Sequence, residues 1–549
     1  MKNMVVLDIE TNLAWDRIWM VGLFYPATSK SIVVWSKEEL AAALGTDSIL
    51  IGHNIINFDM PLLSSLWDFD WDGEVIDTLV MGRLYNPSIE GGHSLRAWSN
   101  RAGKVLKDDF EADDFDRGDD PEIIMAMERY CKIDCRATWD VYVLIKKMLT
   151  DFSSSSITLE HEVAVAMTEQ EQNGFAFDFN AACSLFDDHE SRMEGIEEKL
   201  QVIFTPLITE RWSEKTGKRL NDKVEVFNVG SRQQVAHRLG SIGAKWKRTT
   251  PKAGLPVVDE VSLKENIKIP EAGMVLEYMT LQKRLGMLKS WLNSYQNDGR
   301  IHGKVNPCGA VTTRMTHSNP NMAQIPSESL YRSVFIPAQG RVMVGADASQ
   351  LELRCLAHYM KDEEYTNEFS SGDVHTANQN AAGLSSRDTA KTFIYAFIYG
   401  AGNAKLGEIV GGNAGAGSGA RESLLRNLPA LDDLIKKVQR LSDNGSLPGI
   451  DGRRLRVRSS HSALNTLLQG CGAIVMKKAL LLALKDLDNK RCMLVASIHD
   501  EYQFEADPDY AEETGQKLVA AIVEAGVALE MRCPMAGEYK IGKDWSETH

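Results

Sequence analysis

The sequence predicts a multidomain protein of mixed α/β and α+β class. Three observations carry that expectation. Its 549 residues exceed what one hydrophobic core organises, so about two to four domains are expected. Apolar, strand-like runs that end in carboxylates occur in two distant regions, around Asp8 and around Asp347 and Asp500. Long segments with apolar residues at helical spacing lie between them, at 121–149, 159–172, 180–203 and 271–296.

Composition sets the outer limits. With 44% hydrophobic and 25% charged residues the chain reads as globular, not disordered or fibrous. No uninterrupted apolar run approaches the ~18 residues of a membrane span, so no membrane partner is expected. The opening MKNMVVLDIET meets acids at Asp8 and Glu10, which marks a strand and not a signal peptide. Eight scattered cysteines form no CxxC pair, which implies reduced thiols and a cytoplasmic location. The formal net charge of −15 hides an asymmetry. Residues 108–122 hold nine acids and one base, Arg117. Residues 211–252 hold eleven Lys and Arg, opposed by Glu214, Asp222 and Glu225. Such a basic patch can bind phosphates locally while the global charge limits non-specific adhesion; a solvated surface is the plain alternative for both runs.

In the first segment, MVVLDIET places Asp8 and Glu10 on one strand face, because side chains two apart point the same way. IWMVGLFY (18–25) and SIVVWS (31–36) read as further strands. SILIGHNIINFDMPLL (48–63) reads as a strand, a turn holding Asn54, and then Asp59. The helix at 121–149 carries Tyr130 and Asp134 four apart, on one face. Each acid alone is an ordinary surface residue. Together they form the pattern that holds two Mg²⁺ ions about 4 Å apart for phosphodiester hydrolysis, with Tyr130 placed to orient a water.

Next, DFSSSSIT (151–158) reads as a linker. SRQQ, inside the basic stretch, reads as an N-cap opening a helix. Long helices flanking a basic tip suit a clamp on duplex backbone, or a plain helical hairpin. RVMVGADASQLELRCLAHYM (341–360) places Asp347 at the end of an apolar strand, with a helix starting near Leu351. RDTAKTFIYAFIYGAG (387–402) sets Arg387, Lys391, Tyr395 and Tyr399 four apart, in one slanting stripe. Two cations followed by two aromatic rings suit a nucleoside triphosphate. GGNAGAGSGA (411–420) lacks the Gly-Lys-Ser/Thr of a phosphate loop and reads as a flexible connection. LVASIHDEYQF (494–504) reads as a hairpin with Asp500 and Glu501 at its tip. Asp347 is the distant partner those acids need.

The first 150 residues resemble the tyrosine-bearing subclass of DEDD 3′–5′ exonucleases, with IDTLVMGRLYNP (76–87) and GGHSLRAW (91–98) as supporting pieces. Residues 305–549 resemble family A DNA polymerases of the bacterial DNA polymerase I type. VGADASQLELR, RDTAKTFIYAFIYG and SIHDEY are similar to motifs A, B and C. HSALNTLLQ (461–469) and GKDW (542–545) resemble the replicative enzymes of short-tailed, T-seven-like phages. The resemblance implies a ribonuclease-H-like exonuclease domain at 1–152, a linker at 153–158 and a right-hand polymerase at 159–549. Within the latter it implies a thumb at about 185–300, a palm at about 301–360 and 455–549, and fingers at about 361–454.

The resemblance also implies roles. Asp347, Asp500 and the Ala348 carbonyl would hold two Mg²⁺ ions, with Mn²⁺ able to substitute, and Glu501 would support them. Asp8, Glu10, Asp59 and Asp134 would hold two more. His375, Arg387 and Lys391 would meet the dNTP phosphates, Tyr395 the sugar and Tyr399 the template base. Glu352 would be a steric gate against ribose. Arg314, His461 and Gln469 would monitor the minor groove, and His499 would brace the primer end. Implied partners are primer–template DNA, dNTPs, a phage helicase-primase and a single-strand binding protein. About 25 residues separate the helix ending near 203 from Phe227, which leaves no room for the thioredoxin-recruiting insertion of the phage enzymes. Two other readings are a single-subunit RNA polymerase, opposed by Glu352 and the four excision acids, and a DNA-end-binding protein with a dead palm, opposed by the retained carboxylates.

Overall fold

The structure is a computed structural model that describes residues 3–104 and 112–549. Residues 108–111 of the acidic run therefore lie outside the described residues. The chain forms two compact units, one built from Met1–Phe175 with Gly303–His549 and the other from Ala176–His302.

The first unit begins with strands β1 (Asn3–Thr11), β2 (Ile18–Tyr25), β3 (Lys30–Val34), β4 (Ser48–Gly52) and β5 (Val75–Asp77), in the sheet order β3-β2-β1-β4-β5. β1 runs antiparallel to β2 and parallel to β4. Val5, Val6 and Leu7 at its centre are buried, which explains why this strand reads as a continuous apolar run until its acids. Helix α1 (Asp59–Trp67) follows β4, and α2 (Pro121–Met148) lies across the sheet, burying Cys135, Val141 and Ile145 against Val6 and Phe24. Pro121 sits in the first turn of α2, Asp120 caps its amide ends, and Lys146 and Lys147 close it, each matching the helix dipole.

The segment expected as a linker opens helix α3 (Ser154–Asn173). Ser153 accepts a hydrogen bond from the Ser156 amide at 3.1 Å, and its own amide donates to the Gly452 carbonyl at 3.2 Å. Serine favours both linkers and N-caps, and here the capping role wins because the helix carries a buried charge. Glu160 accepts from Lys477 Nζ at 2.6 and 2.8 Å and from Arg453 Nη1, and all three side chains are at most 1% exposed.

The second unit holds α4 (Phe179–Ile203), an antiparallel ribbon of β6 (Leu207–Trp212) and β7 (Arg219–Glu225), α5 (Arg232–Ser241) and α6 (Pro270–Ser294). Its core gathers Leu200, Phe227, Val235, Leu239 and Val275. The basic stretch lies in this unit and is partly neutralised by acids outside it. Arg248 pairs with Asp259 at 2.6 Å and Lys247 with Glu265 at 3.1 Å, while buried Arg238 donates to the Thr205 carbonyl. Arg211, Lys215 and Lys218 are exposed.

The remainder of the first unit is built on β8 (Val342–Ala348), β9 (Cys492–Ile498), β10 (Glu501–Ala506) and β11 (Gly537–Gly542), antiparallel in the order β9-β10-β8-β11. Its longer helices are α7 (Leu351–Met360), α8 (Val374–Ala382), α9 (Arg387–Ile398), α10 (Asn403–Ile409), α11 (Ala414–Asn427), α12 (Pro429–Ser442), α13 (Ala463–Asp486) and α14 (Ala511–Ala528). One apolar core joins Val344, Leu351, Cys471, Val475, Phe504 and Ile522. The helix spanning 460–486 is long and apolar enough to cross a membrane by length and composition, though no uninterrupted apolar run in it reaches that length, and it is mostly buried inside this core.

The glycine run at 411–420, expected as a flexible connection, is mostly helix α11. Asn413 caps it, accepting from the amides of Gly415 and Ala416. The glycines serve close approach: a Cβ on Gly417 would stand 2.2 Å from the Asn403 carbonyl oxygen and 2.4 Å from the Gly407 nitrogen, while one on Gly419 would meet nothing. Gly417→Ala is therefore expected to cost about 1–3 kcal/mol by overpacking, and Gly419→Ala to stabilise or leave stability unchanged. Thermal melts of the two variants test this, and equal melting temperatures would contradict it.

Candidate functional site

Two carboxylate clusters occur in the first unit. The first cluster is set by strand register. Asp347, the sixth residue of β8, lies opposite Glu501 on β10 and opposite Glu538 on β11. The turn between β9 and β10 is His499-Asp500, with His499 in the left-handed region at φ 57°. The Ala348 amide donates to the Asp500 carbonyl at 3.0 Å, which ties the turn to the end of β8. Burial pushes Asp347 up to about 7, with the charges of Asp500 and Glu501 adding to it. Burial raises Asp500 as well, followed by the charge of Glu352. Burial and neighbouring carboxylates thus raise both groups, the electrostatic setting of a site able to take a cation.

Glu501 behaves differently. It is 5% exposed, and both its oxygens are engaged: Oε1 accepts from Trp545 Nε1 at 2.5 Å and Gln503 Nε2 at 2.6 Å, and Oε2 meets His549 Nδ1 at 2.6 Å. Burial opposes its charge, but these bonds, His549 first, hold it below the usual range. Of the two acids expected at the hairpin tip, Asp500 therefore stands in the turn and Glu501, expected only as a support, is built into the strand.

The aromatic stripe faces the same carboxylates. Tyr395 and Tyr399 have ring centroids 6.3 Å apart, and His375 stands 6.4 Å from Tyr395. Burial and then the charge of Glu352 raise both phenols, Tyr399 up to about 12. Tyr399 OH donates to Glu352 Oε1 at 3.0 Å, and Arg314 Nη2 donates to the same oxygen at 2.6 Å. Arg314 and His499 also line one small cleft with Ser497. His461 Nε2 bonds the Gly400 carbonyl at 2.9 Å, just past α9. Lys391 is exposed, one turn after Arg387. Arg387 is drawn to Asp373, a residue sequence reasoning missed, which also caps α8. His375 is buried and its Nδ1 has no hydrogen-bond partner among the described residues; burial lowers its pKa. Gln469 lies half-buried on α13 and joins none of these bonds among the described residues.

The second cluster sits where β1 meets α1 and α2. Asp59 opens α1, and its Oδ1 accepts from the Ile9 amide at 3.1 Å, between Asp8 and Glu10. Asp134 and Tyr130 share one face of α2 and hydrogen-bond each other. All four acids are raised, burial being the largest cause throughout. Asp59 reaches about 7 and Asp134 about 6, and the charge of Glu10 adds to Asp8. Burial followed by the charge of Asp134 keeps Tyr130 protonated. Glu10 Oε1 and Asp134 Oδ1 are buried without a hydrogen-bond partner among the described residues, as expected of atoms that hold a cation. Cys131, which sequence reasoning left as core, brings its thiol to 3.7 Å from the Asp8 carbonyl.

The raised acids set a pH dependence. Against unfolded carboxyl values of about 3.9, the native state binds more protons, so their contribution to stability is full below about pH 4. It is lost as pH rises through about 6 for Asp134 and about 7 for Asp59 and Asp347. Mg²⁺ should therefore raise the melting temperature more at about pH 8 than at about pH 5, because ligands must be deprotonated. An equal Mg²⁺ shift at both would contradict this.

A family model, DNA polymerase family A, matches residues 208–547. The DNA-directed DNA polymerase of Escherichia phage T7 is 30% identical over the whole of both chains, and that of Enterobacteria phage T3 is 31% identical over the same extent. DNA polymerase I of Aquifex aeolicus is 25% identical over the whole chain and 97% of that protein. Among solved structures, the POL domain of Pol1 from M. smegmatis in complex with DNA primer-template and dNTP shares the fold. Its TM-score is 0.83 at 18% identity, covering 99% of this chain and 95% of that one. On the matched family model and the full-length phage relatives, the chain belongs to DNA polymerase family A and is a DNA-directed DNA polymerase.

Proposed function

We propose that the chain extends a primer 3′-OH with dNTPs at Asp347 and Asp500, and removes 3′-terminal nucleotides at Asp8, Glu10, Asp59 and Asp134. The observation that carries this reading is the pair of separate carboxylate clusters, one set by the register of β8 against β10 and one where Asp59 accepts from the Ile9 amide between Asp8 and Glu10, each raised by burial and by neighbouring carboxylates. The DNA-directed activity of the phage relatives and the contents of the solved complex support primer–template DNA and dNTPs as its substrates. Both clusters fit divalent cations by charge and hard oxygen donors. Bound at Asp347, Asp500 and the Ala348 carbonyl, a pair of Mg²⁺ ions would activate the primer 3′-OH and neutralise the triphosphate.

The chain's own residues do the rest. Lys391, Arg387 and His375 line α8 and α9 to receive phosphates, and Asp373 holds Arg387 until they arrive. Tyr395 packs the sugar and Tyr399 stacks near the template base. Arg314 and Tyr399 clamp Glu352, so its carboxylate occupies the space a ribose 2′-OH would need. Arg314, His461 and Gln469 meet minor-groove acceptors common to correct pairs, and His499 braces the primer end. Glu501 positions the end of β10 without ligating directly. At the other cluster Tyr130 orients the attacking water. The Ala176–His302 unit acts as the thumb, its basic residues following duplex phosphates. A replicative role would pair the chain with a helicase-primase and a single-strand binding protein.

The double variant Asp8→Ala/Glu10→Ala tests the second site. Removal of a mispaired 3′ nucleotide should fall by at least about a thousandfold, the several kcal/mol a metal-assisted step supplies. Extension of a paired end should stay within about twofold of wild type, because Asp347 and Asp500 are untouched. Undiminished removal of the mispair would place excision elsewhere.

A further inference from the structure

We propose that Arg454, Arg456 and Tyr85 form a binding site for single-stranded DNA, the unpaired 5′ stretch of the template, outside the duplex and dNTP contacts. A short hairpin, Ser446–Pro448 with Arg454–Arg456, pairs Leu447 with Leu455, and both leucines are wholly buried. Leu455 closes onto α13, where a Cβ on Gly470 would stand 2.7 Å from its Cδ1. Strand alternation therefore turns Arg454 and Arg456 to the opposite, outer face. Together with Tyr85 they line a cleft of about 510 Å³. The Arg456 guanidinium carbon stands 4.7 Å from the Tyr85 ring centroid, and its Nε donates to the Tyr85 carbonyl at 3.4 Å. Arg454 is exposed, and its guanidinium makes no hydrogen bond or ion pair among the described residues. Arg458, also exposed, follows two residues later. Asp151 is the one acid among the described residues that line the cleft, so the site is locally positive on a chain of formal net charge −15.

The chemistry favours a nucleic-acid strand over an acidic peptide. Residues two apart on a strand stand about 6.7 Å apart, a step that suits successive phosphates of an extended strand, and each guanidinium fork can meet one phosphate. Arg456 layered on Tyr85 offers a flat platform to a base, and every base has a face to stack on it. A run of carboxylates would leave that platform unused. The place in the chain supplies the strand. Arg456 stands five residues before His461, whose Nε2 bonds the Gly400 carbonyl at 2.9 Å, next to Tyr399. With a template base at Tyr399, the unpaired template continues past Gly400 and His461 towards the arginine face. That direction rests on the template-base reading of Tyr399; the affinity of the cleft for unpaired DNA does not.

The test is binding of the full chain to two primer–templates with the same duplex, one with a single unpaired template nucleotide and one with about ten, read by fluorescence anisotropy across a salt series. Wild type should prefer the longer overhang at least about fivefold, from two phosphate contacts and one stacked base. Arg454→Ala/Arg456→Ala should bring that preference close to one and flatten the slope of log affinity against log salt by about 1.4 for the longer overhang. Arg454→Ala alone, at an exposed side chain, should flatten it by about 0.7. Tyr85→Ala should weaken the preference and Tyr85→Phe should keep it. A wild type without the preference, or an Arg454→Ala/Arg456→Ala variant with undiminished preference and slope, overturns the proposal. An oligoglutamate peptide that binds wild type but not the double variant, with the overhang preference the same in both, overturns it in favour of an acidic protein partner. Addition of one dNTP to the shorter overhang, impaired or kept in Tyr399→Ala, reports on the template-base reading separately.

Discussion

Asp347→Ala should abolish primer extension, by at least about a thousandfold, while 3′ degradation continues at the wild-type rate. The position explains the size of the effect. Asp347 is the penultimate residue of β8, between Glu501 and Glu538, with the Asp500 turn bonded to its neighbour Ala348. Its neighbour on β10, Glu501, is held by Trp545, Gln503 and His549 and is not free to replace it. The same substitution should not weaken the fold. Burial and like charges already raise Asp347 to about 7, so its ionised form is a cost to the metal-free protein above that pH. The melting temperature of the variant without Mg²⁺ should match or exceed that of wild type. A variant that melts much earlier would mean that Asp347 is structural.

Glu160→Ala should be the most destabilising single change described for this chain, at about 3–5 kcal/mol. Glu160, Arg453 and Lys477 are 0, 0 and 1% exposed. Burial alone would raise Glu160, but Lys477 and Arg453 hold it below the usual carboxylate range. Removing it leaves two buried cations facing Asp451 alone, which pairs with Arg453 at 2.7 Å. The double variant Glu160→Met/Lys477→Met removes one charge of each sign and keeps the Arg453–Asp451 pair. It should therefore recover at least about 1 kcal/mol relative to Glu160→Ala, read by denaturant unfolding. No recovery would show that packing of α3, and not charge, sets the cost.

Much of both sites could be read from local sequence. Asp8 and Glu10 interrupt an apolar run with period two, and Tyr130 and Asp134 are spaced by one helical turn, so each pair announces a shared face. Asp347 and Asp500 stand at strand ends for the same reason. What stayed hidden depends on register and on distant partners. Glu501 is expected to support the ions, but its partners Trp545 and His549 are not visible until the chain returns from the far end of β11 to bond it. The serines at 153–156 and the glycines at 411–420 have the composition of linkers. Their helices are decided by tertiary contacts, the buried charge on Glu160 and the close approach of Gly417 to Gly407.

The most direct measurement follows one labelled primer, paired or mispaired at its 3′ end, with and without dNTPs, in wild type, Asp347→Ala and Asp8→Ala/Glu10→Ala. Two independent sites predict reciprocal losses: no extension with degradation intact in the first variant, and extension intact without mispair removal in the second. A folded variant of either kind that loses both activities would contradict the two-site account.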